Sequence, residues 1–192
     1  MSFVIQGGSP EVDMYVKGSR IFPGAKTANG VTYGDTETTD GGIYLIPFFV
    51  PGKLTFSEIG IHTAGTLSVD IIAGVYKYDY DADRWDKITQ VGPFDSTAGV
   101  KSESVGSSIT LEQGLHATAM TADGVASDVT GYDVNSFGNF AGQMWSGAAR
   151  SSFHFKKTAV YAATMPATIA GVDANAGGSA GDDIPGCFLL LA

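Results

Sequence analysis

Apolar and polar positions alternate in short runs along most of this chain, and glycine or proline ends many of the runs. The densest apolar run, Ile43–Val50, is eight residues long and contains Pro47, whereas a membrane-spanning helix needs about 20 apolar residues. Proline also removes a backbone donor that a helix interior uses. The run therefore predicts a strand with Pro47 at a bulge or bend, followed by a turn at "VPGK".

Two segments after this run show the period of two that is typical of strands. In residues 54–62 the inward phase switches from even to odd numbers between Ser57 and Glu58, which predicts a β-bulge. In residues 67–78 the odd positions form one apolar face, and the other face, with Tyr76 and Tyr78, is predicted to be solvated. Further strands are predicted at 84–91, 99–105, 107–113, 114–120, 151–164 and 186–192.

Helix signals are weak, and the best candidate, residues 137–152, contains several glycines that disfavour a helix. At most one short helix or a structured loop is expected there. Many short strands without helices between them predict an all-β fold, an antiparallel β-sandwich. Residues 41–192 are expected to form this domain. Residues 1–40, rich in Gly, Thr, Asp and Asn towards their end, are expected to form an extended N-terminal arm.

Composition and charge narrow the classes of function. The 192 residues are 44% hydrophobic, enough for one sizeable core. Eleven basic residues against 20 acidic ones give a net charge of −9, which opposes binding to nucleic acid. The start of the chain has neither the basic nor the apolar region of a secretory signal, so synthesis in a cytoplasm without membrane insertion is expected. The single cysteine, Cys187, is predicted to be a core residue.

An acidic segment offers the strongest hint of a metal site. Asp79, Asp81 and Asp83 match the start of an EF-hand calcium loop. The match then fails, because Arg84 stands where the loop needs glycine and Gln90 where it needs a bidentate glutamate. Two interpretations stay open, a polar hairpin tip between strands and a calcium site of another kind, and the first is preferred.

Catalytic signatures do not emerge from the remaining sequence. A G-x-S-x-G pattern at residues 177–181 lies in a run of small residues, without the strand and helix of a nucleophile elbow. His62, His116 and His154 are far apart in sequence and are predicted to lie on the solvent faces of strands. We therefore expect no enzymatic activity, no catalytic residues and no cofactor.

Three aromatic residues flank the acidic segment, namely Tyr78, Tyr80 and Trp85. Aromatic faces beside carboxylates commonly hold a sugar or a protein partner. Tyrosines on sandwich strands also cover sheet edges and form cross-strand pairs, so this alternative stays open. The three residues are the candidate contacts to a ligand or partner.

The order of several segments resembles β-sandwich proteins of tailed bacteriophages, described as fibre or virion-surface proteins. The resemblance covers residues 41–192 and is carried by "GGIYLIPFFVPGKLTFSEIGIHT", "SVDIIAGVYKYD", "DSTAGVKSESVGSSITLEQGLHATAMTAD" and "YAATMPAT". It departs from that pattern in "LEQGLHATAM", which lacks an aromatic pair after the glycine, and in the segment 121–150. The resemblance implies a jelly-roll-like sandwich, assembled as a homotrimer on the outside of the virion.

Two roles follow from this resemblance. A capsid decoration (cement) or head-fibre protein would bind capsid or other virion proteins through its arm, whereas a tail-fibre tip would bind a host surface glycan. The absence of a heptad or repeat shaft in the sequence favours the first role. A sandwich-fold glycosidase or lyase is a third alternative. The arm carries two β-like pieces suited to attachment, formed by Phe3, Val4 and Ile5 and by Met14, Tyr15 and Val16.

Overall fold

A computed structural model describes residues 17–21, 31–36, 42–63, 65–66, 68–95, 97–124, 129–132, 155–157, 162–171, 175–176 and 184–192. The strands formed by these residues are β1 (Arg20–Ile21), β2 (Val31–Thr36), β3 (Ile43–Val50), β4 (Leu54–Thr63), β5 (Ile71–Asp79), β6 (Arg84–Val91), β7 (Gly99–Leu111), β8 (Gly114–Ala122), β9 (Val129–Tyr132), β10 (Phe155–Lys157), β11 (Thr168–Ala170), β12 (Asn175–Ala176), β13 (Ile184–Pro185) and β14 (Phe188–Leu191). No helix within these ranges is long and apolar enough to cross a membrane.

The strands form two antiparallel sheets that pack against each other. In sheet one, β14 lies between β1 and β4, and β4 pairs on its other side with β7. Strand β9 joins β4 at Thr63 and pairs with β2 and β13. Sheet two has the order β11-β6-β5-β8-β3-β10-β12. This architecture confirms the predicted all-β sandwich.

The main core lies between the two sheets and is built from the inward faces of their central strands. Strand β4 contributes Phe56, Ile59 and Ile61, all fully buried, and β5 contributes the odd-numbered residues that were predicted to face inward. Cys187 is buried in the same core, as predicted, and burial raises the pKa of its thiol to about 12. Alternation with a period of two therefore placed the core correctly in these strands.

The predicted bulge in β4 is present where the apolar phase changes. The register between β4 and β7 shifts between Phe56 and Glu58, and the pairing of β14 with β4 shifts at the same level, between Leu190 and Leu191. The extra residue restores the inward direction of Ile59 after Phe56. The bulge is therefore what lets both halves of β4 contribute to one core.

Strand β3 has the predicted bounds, but Pro47 lies in a regular ladder without a bulge. Its neighbour β8 pairs continuously from Tyr44 to Val50, with Pro47 opposite Ala117. On the other side, β10 pairs only with Ile43, Tyr44 and Leu45. Pro47 thus lies where β3 has a described neighbour on one side only, a position at which the missing N–H is tolerated.

The predicted strands at 99–105 and 107–113 form one strand, β7, of 13 residues. Gly106 has a φ of 89°, which glycine adopts without strain, and it lies within the stretch where the register with β4 shifts. The predicted bounds leave Gly106 between two strands. It instead belongs to a bulge that the strand passes through.

The solvated face predicted for β5 is wrong, because a second apolar cluster covers it. We call this the outer cluster; it contains Ile72, Tyr76, Trp85, Met165 and Ile169, together with residues of β3 and β8. Residues 162–171, here termed the strap, lie across this face. Tyr76 is fully buried, and its hydroxyl donates to the carbonyl oxygen of Pro166 at 2.8 Å.

Parts of the segment predicted to be an arm pair with the sandwich. Strand β1 pairs with β14, and β2 pairs with β9. The candidate helix at 137–152 and most of the strand predicted at 151–164 lie outside the described residues. The six candidate attachment residues of the arm also lie outside them.

Candidate functional site

The acidic segment forms the tip of the β5–β6 hairpin, as predicted. We define the hairpin tip as residues 78–86. Its turn is held by the carboxylate of Asp79, which accepts the backbone N–H groups of Asp81 at 3.0 Å and Ala82 at 3.1 Å. Asp83 has a φ of 48°, a left-handed conformation that aspartate tolerates better than most residues. The local sequence thus fixes the turn without a ligand.

The three candidate aromatic residues come together at the tip. The ring of Tyr78 lies between those of Tyr80 and Trp85, with centroid distances of 5.0 Å to each and edge-to-face geometry. Tyr80 is 65% exposed, whereas Trp85 is 2% exposed and belongs to the outer cluster. A ligand arriving from solvent would therefore meet Tyr80 and part of Tyr78, and Trp85 supports them from beneath.

The strap fixes this hairpin from the side. Strand β11 pairs with β6 from Thr168 to Ala170, and Gly171 donates its N–H to the carbonyl oxygen of Asp83 at 2.7 Å. A Cβ at Gly171 would overlap the carboxylate of Asp83, so the close approach requires glycine. The side chain of Lys87 donates to the carbonyl oxygen of Met165 at 2.7 Å. The hairpin that carries the exposed Tyr80 is thus fixed on one side by hydrogen bonds to the strap.

The strap is the part of the site that sequence reasoning missed. "MPAT" was noted only as part of the resemblance, yet Met165 and Ile169 are both buried against sheet two. The hydrogen bonds of the strap join residues far apart in sequence: Lys87 donates to Met165, 78 residues away, and Tyr76 donates to Pro166, 90 residues away. The local signal was the even-numbered face of β5, which carries Ile72, Gly74, Tyr76 and Tyr78. This face is apolar enough to predict that another segment of the chain covers it.

The acidic groups of the tip do not converge on a common point. The Asp79 carboxylate binds the turn, the Asp83 carboxylate accepts the Tyr78 hydroxyl, and Asp86 is paired with Arg84 at 2.7 Å. Within the described ranges, no group of three His, Cys, Asp or Glu residues is placed to hold a metal ion. This arrangement favours the polar hairpin tip over the calcium site.

We expect calcium to leave the melting temperature of the protein unchanged, because a ligand that does not bind the native state cannot stabilise it. The measurement is thermal unfolding in calcium and in chelator, for the natural protein and for Asp81→Ala. Asp81 is the matched position, since its side chain would be needed in a D-x-D-x-D site. A rise of several degrees in calcium that disappears in Asp81→Ala would contradict this interpretation.

The hydrogen bond from Tyr78 to Asp83 gives a second prediction. This bond is the main reason why the pKa of Tyr78 is raised from 10.0 to about 12, with burial adding to it. Tyr78→Phe should lower the free energy of unfolding by about 1 kcal/mol at neutral pH. The bond stabilises the native state fully below pH 10, and this contribution is lost as the pH rises through about 12.

Unfolding of both proteins in denaturant, from pH 8 upward in about half-unit steps, checks this prediction. The difference in unfolding free energy should be constant up to about pH 10 and then shrink. Tyr80→Phe is the matched control, because the ring of Tyr80 is largely exposed. A difference between natural protein and Tyr78→Phe that stays constant up to the highest pH would contradict the assignment.

The solvent-face interpretation of the histidines is wrong for His116. Its side chain is 1% exposed and lies on the inward face of β8, 5.9 Å from the ring of Phe48. The ring Nδ1 lies 3.2 Å from the carbonyl oxygen of Gly114. His62 is half-buried, and His154 lies outside the described residues. The prediction failed because β8 has small or apolar residues on both faces, so the pattern of "GLHATAM" does not show which face is solvated.

The burial of His116 predicts a loss of stability in mild acid. Burial is the main cause that lowers its pKa below 6.5; nearby Lys77 adds to this, and the Gly114 carbonyl opposes it. Because the unfolded chain binds the proton more tightly, stability is fully present above pH 6.5 and is lost as the pH falls towards the folded pKa. Each unit of lowering corresponds to about 1.4 kcal/mol.

Unfolding free energies measured between pH 5 and pH 8, in steps of ~0.5 pH units, check this effect. His116→Gln should have a flatter profile than the natural protein. His62→Gln is the matched control; the pKa of His62 is also lowered, through burial and Lys101, but this side chain is less buried. Equal slopes for His116→Gln and the natural protein would refute the prediction.

Comparison with protein-family models, with curated proteins and with solved structures finds no match. The G-x-S-x-G pattern at 177–181 lies outside the described residues. What the geometry does provide is a rigid, acidic, aromatic hairpin tip on a β-sandwich.

Proposed function

We propose that this chain is a non-enzymatic structural protein of a tailed-bacteriophage virion, displayed on the particle exterior as a capsid decoration (cement) or head-fibre protein. The two-sheet antiparallel sandwich supports this proposal, since it is the fold class that the sequence resemblance implies. Such a protein acts through the surfaces it presents. It is made in the host cytoplasm, resides in the virion and, following the resemblance, is a homotrimer.

The observation that carries the attachment role is the position of residues 17–21 at the rim of sheet one. Gly18 donates its N–H to the carbonyl oxygen of Leu191 at 2.9 Å, and Leu191 donates its own to Ser19 at 3.0 Å. Strand β1 continues this pairing along the outer side of β14. Residues 18–21 therefore lie at this rim, and the two β-like pieces that precede them in sequence are suited to add strands to a capsid protein.

The test is a chain that lacks residues 1–16. This cut keeps residues 17–21, whose pairing with the C-terminal strand would be lost in a deeper truncation. We expect the shortened protein to unfold at a temperature near that of the full chain and to fail to bind purified particles stripped of the natural protein. Labelled antibody on intact virions locates the protein independently of the arm.

A control separates the arm from general damage. The substitution Phe49→Ala changes an exposed apolar side chain at the end of β3 and keeps the arm, so this variant should bind particles like the full chain. Normal particle binding by the chain without residues 1–16 would overturn the attachment role of the arm. Absence of antibody label from virions, with label elsewhere in infected cells, would overturn the proposed function itself.

The exposed Tyr80 ring favours a second candidate function, a receptor-binding tail-fibre tip that holds a host surface glycan. Tyr80 lies between Asp79 and Asp81 in the sequence of the turn, and its ring rests edge-to-face on Tyr78. An aromatic ring with nearby hydrogen-bond acceptors is a common platform for sugars. The rigid base of the hairpin reduces the entropy that such binding would cost.

Adsorption to host cells tests this alternative. Tyr80→Ala should weaken adsorption of particles or of purified protein by about tenfold, the loss of one well-packed aromatic contact. Thr110→Ala is the control, because Thr110 is an exposed residue of β7 on sheet one and lies outside the hairpin. Unchanged adsorption of Tyr80→Ala would remove the glycan-binding role and leave the decoration role standing.

A further inference from the structure

Among the strands of the described ranges, β7 forms an edge of sheet one. It pairs with β4 from Gly99 to Leu111, and no strand within the described ranges pairs with its other side. Most of its residues are exposed, and Val100, at 49%, is one of the exposed large apolar residues among those described. An edge of this length presents a row of backbone donors and acceptors to which another strand can add.

Two opposite charges lie next to each other on the inward side of this edge. Lys101 and Glu103 are opposite Ile61 and Ile59 of β4, so both side chains follow the core-facing side of the sheet. The ammonium group of Lys101 donates to the hydroxyl of Thr63 at 3.0 Å. The carboxylate of Glu103 accepts the N–H of Gly92 at 3.1 Å. These contacts hold both charges at the edge.

The sequence of residues 99–105 is self-complementary when two copies of this edge pair antiparallel. If Ser102 lies opposite Ser102 of a second copy, Lys101 lies opposite the second copy's Glu103, and the same pair recurs on the other side of the two-fold axis. Val100 then lies opposite Ser104. The matched stretch runs from Gly99 to Val105 and ends where the register shift with β4 begins.

We propose that the β7 edge, residues 99–105, is a docking surface for a second copy of this chain. The two copies pair antiparallel about Ser102 and extend sheet one across the two-fold axis. Opposite charges directly across an antiparallel pair stabilise it, and like charges there destabilise it. Each copy contributes the same surface, so the contact closes with two chains. The proposal stands apart from the virion role and would hold without it.

The same charges explain why this edge selects its partner. Inward-pointing charges on an edge strand discourage pairing with an arbitrary strand, because the added strand leaves them uncompensated. Burial lowers the pKa of Lys101, and only the nearby Asp95 acts in the opposite direction. A carboxylate brought beside Lys101 therefore favours its charged form. The second copy supplies that carboxylate at the required position.

A charge exchange tests the pairing in the full chain. Size-exclusion chromatography with light scattering at low ionic strength should give the mass of two chains, or of six chains if the pairing joins two of the proposed homotrimers. Lys101→Glu and Glu103→Lys each place like charges opposite one another, and each should raise the dissociation constant by about tenfold. The double variant restores opposite charges and should regain the natural affinity. Melting temperatures near the natural value show that each variant is folded.

A cross-link tests the register independently of the charges. Ser102→Cys places two thiols directly opposite each other, and mild oxidation should join chains in pairs. Cys187 is buried and does not compete. Ser108→Cys, outside the matched stretch, is the control and should not cross-link. A mass of one chain or of three chains at all concentrations, a double variant that stays as weak as the single ones, or equal cross-linking of the two cysteine variants would overturn the pairing. A larger assembly supports it only if Ser102→Cys joins chains in pairs.

Discussion

Removing residues 187–192 should leave an insoluble chain that does not form the sandwich. Strand β14 lies between β1 and β4, so its loss detaches β1 from sheet one and leaves one side of β4 without its partner. Phe188, Leu189 and Leu191 are almost completely buried. Burial of each such side chain contributes about 1.5–3 kcal/mol. Together these contributions rival the net stability of a domain, about 5–15 kcal/mol.

The measurement is the soluble fraction after expression, followed by circular dichroism and thermal unfolding of any soluble chain. Deletion of Ala192 alone is the matched control. It removes one backbone bond, to the carbonyl oxygen of Thr55 at 3.1 Å, and keeps every apolar contact of β14. A chain of residues 1–186 that unfolds cooperatively near the natural temperature would contradict the contribution of β14 to the stability of the sandwich.

The strands of the sandwich were predictable where local pattern and burial agree. Strands β3 and β6 have the predicted bounds. The phase switch in β4 located its bulge, because every inward residue of β4 packs in one core. Strand β5 shows the limit of the method. Its second face is covered by Met165 and Ile169, and alternation within β5 carries no information about a segment that far along the chain.

The candidate site was predictable to a similar extent. The hairpin brought Tyr78, Tyr80 and Trp85 together because residues that flank a short turn must be neighbours. The burial of Trp85 was not predictable, since it depends on the strap that pairs with β6. The inward position of His116 was missed for a related reason: a polar residue on a strand was assumed to face solvent.

Gly60→Ala is expected to be the most damaging single substitution on the outward face of sheet one. Gly60 lies in the middle of β4, opposite Phe188 of β14 and Ser102 of β7. A Cβ at this position would overlap both the ring of Phe188 and the carbonyl oxygen of Lys101. The ring has little freedom to move, because Phe188 is almost fully buried and the guanidinium of Arg20 lies 5.5 Å from its centroid.

Overpacking of a well-packed position costs about 1–3 kcal/mol and occasionally more. Because one of the overlapped atoms belongs to the backbone, we expect Gly60→Ala to cost about 3 kcal/mol or more.

Denaturant unfolding of Gly60→Ala, Phe188→Ala and the double variant measures the coupling between the two positions. Once the ring is absent, its overlap with the added methyl group is removed and the overlap with the carbonyl oxygen of Lys101 remains. The substitution should therefore cost less in the Phe188→Ala background. Thr55→Ala, on the same face of β4, is the control and should cost only about the hydrogen bond to Thr110. Equal costs of Gly60→Ala in the two backgrounds would show that the ring of Phe188 does not rest on Gly60.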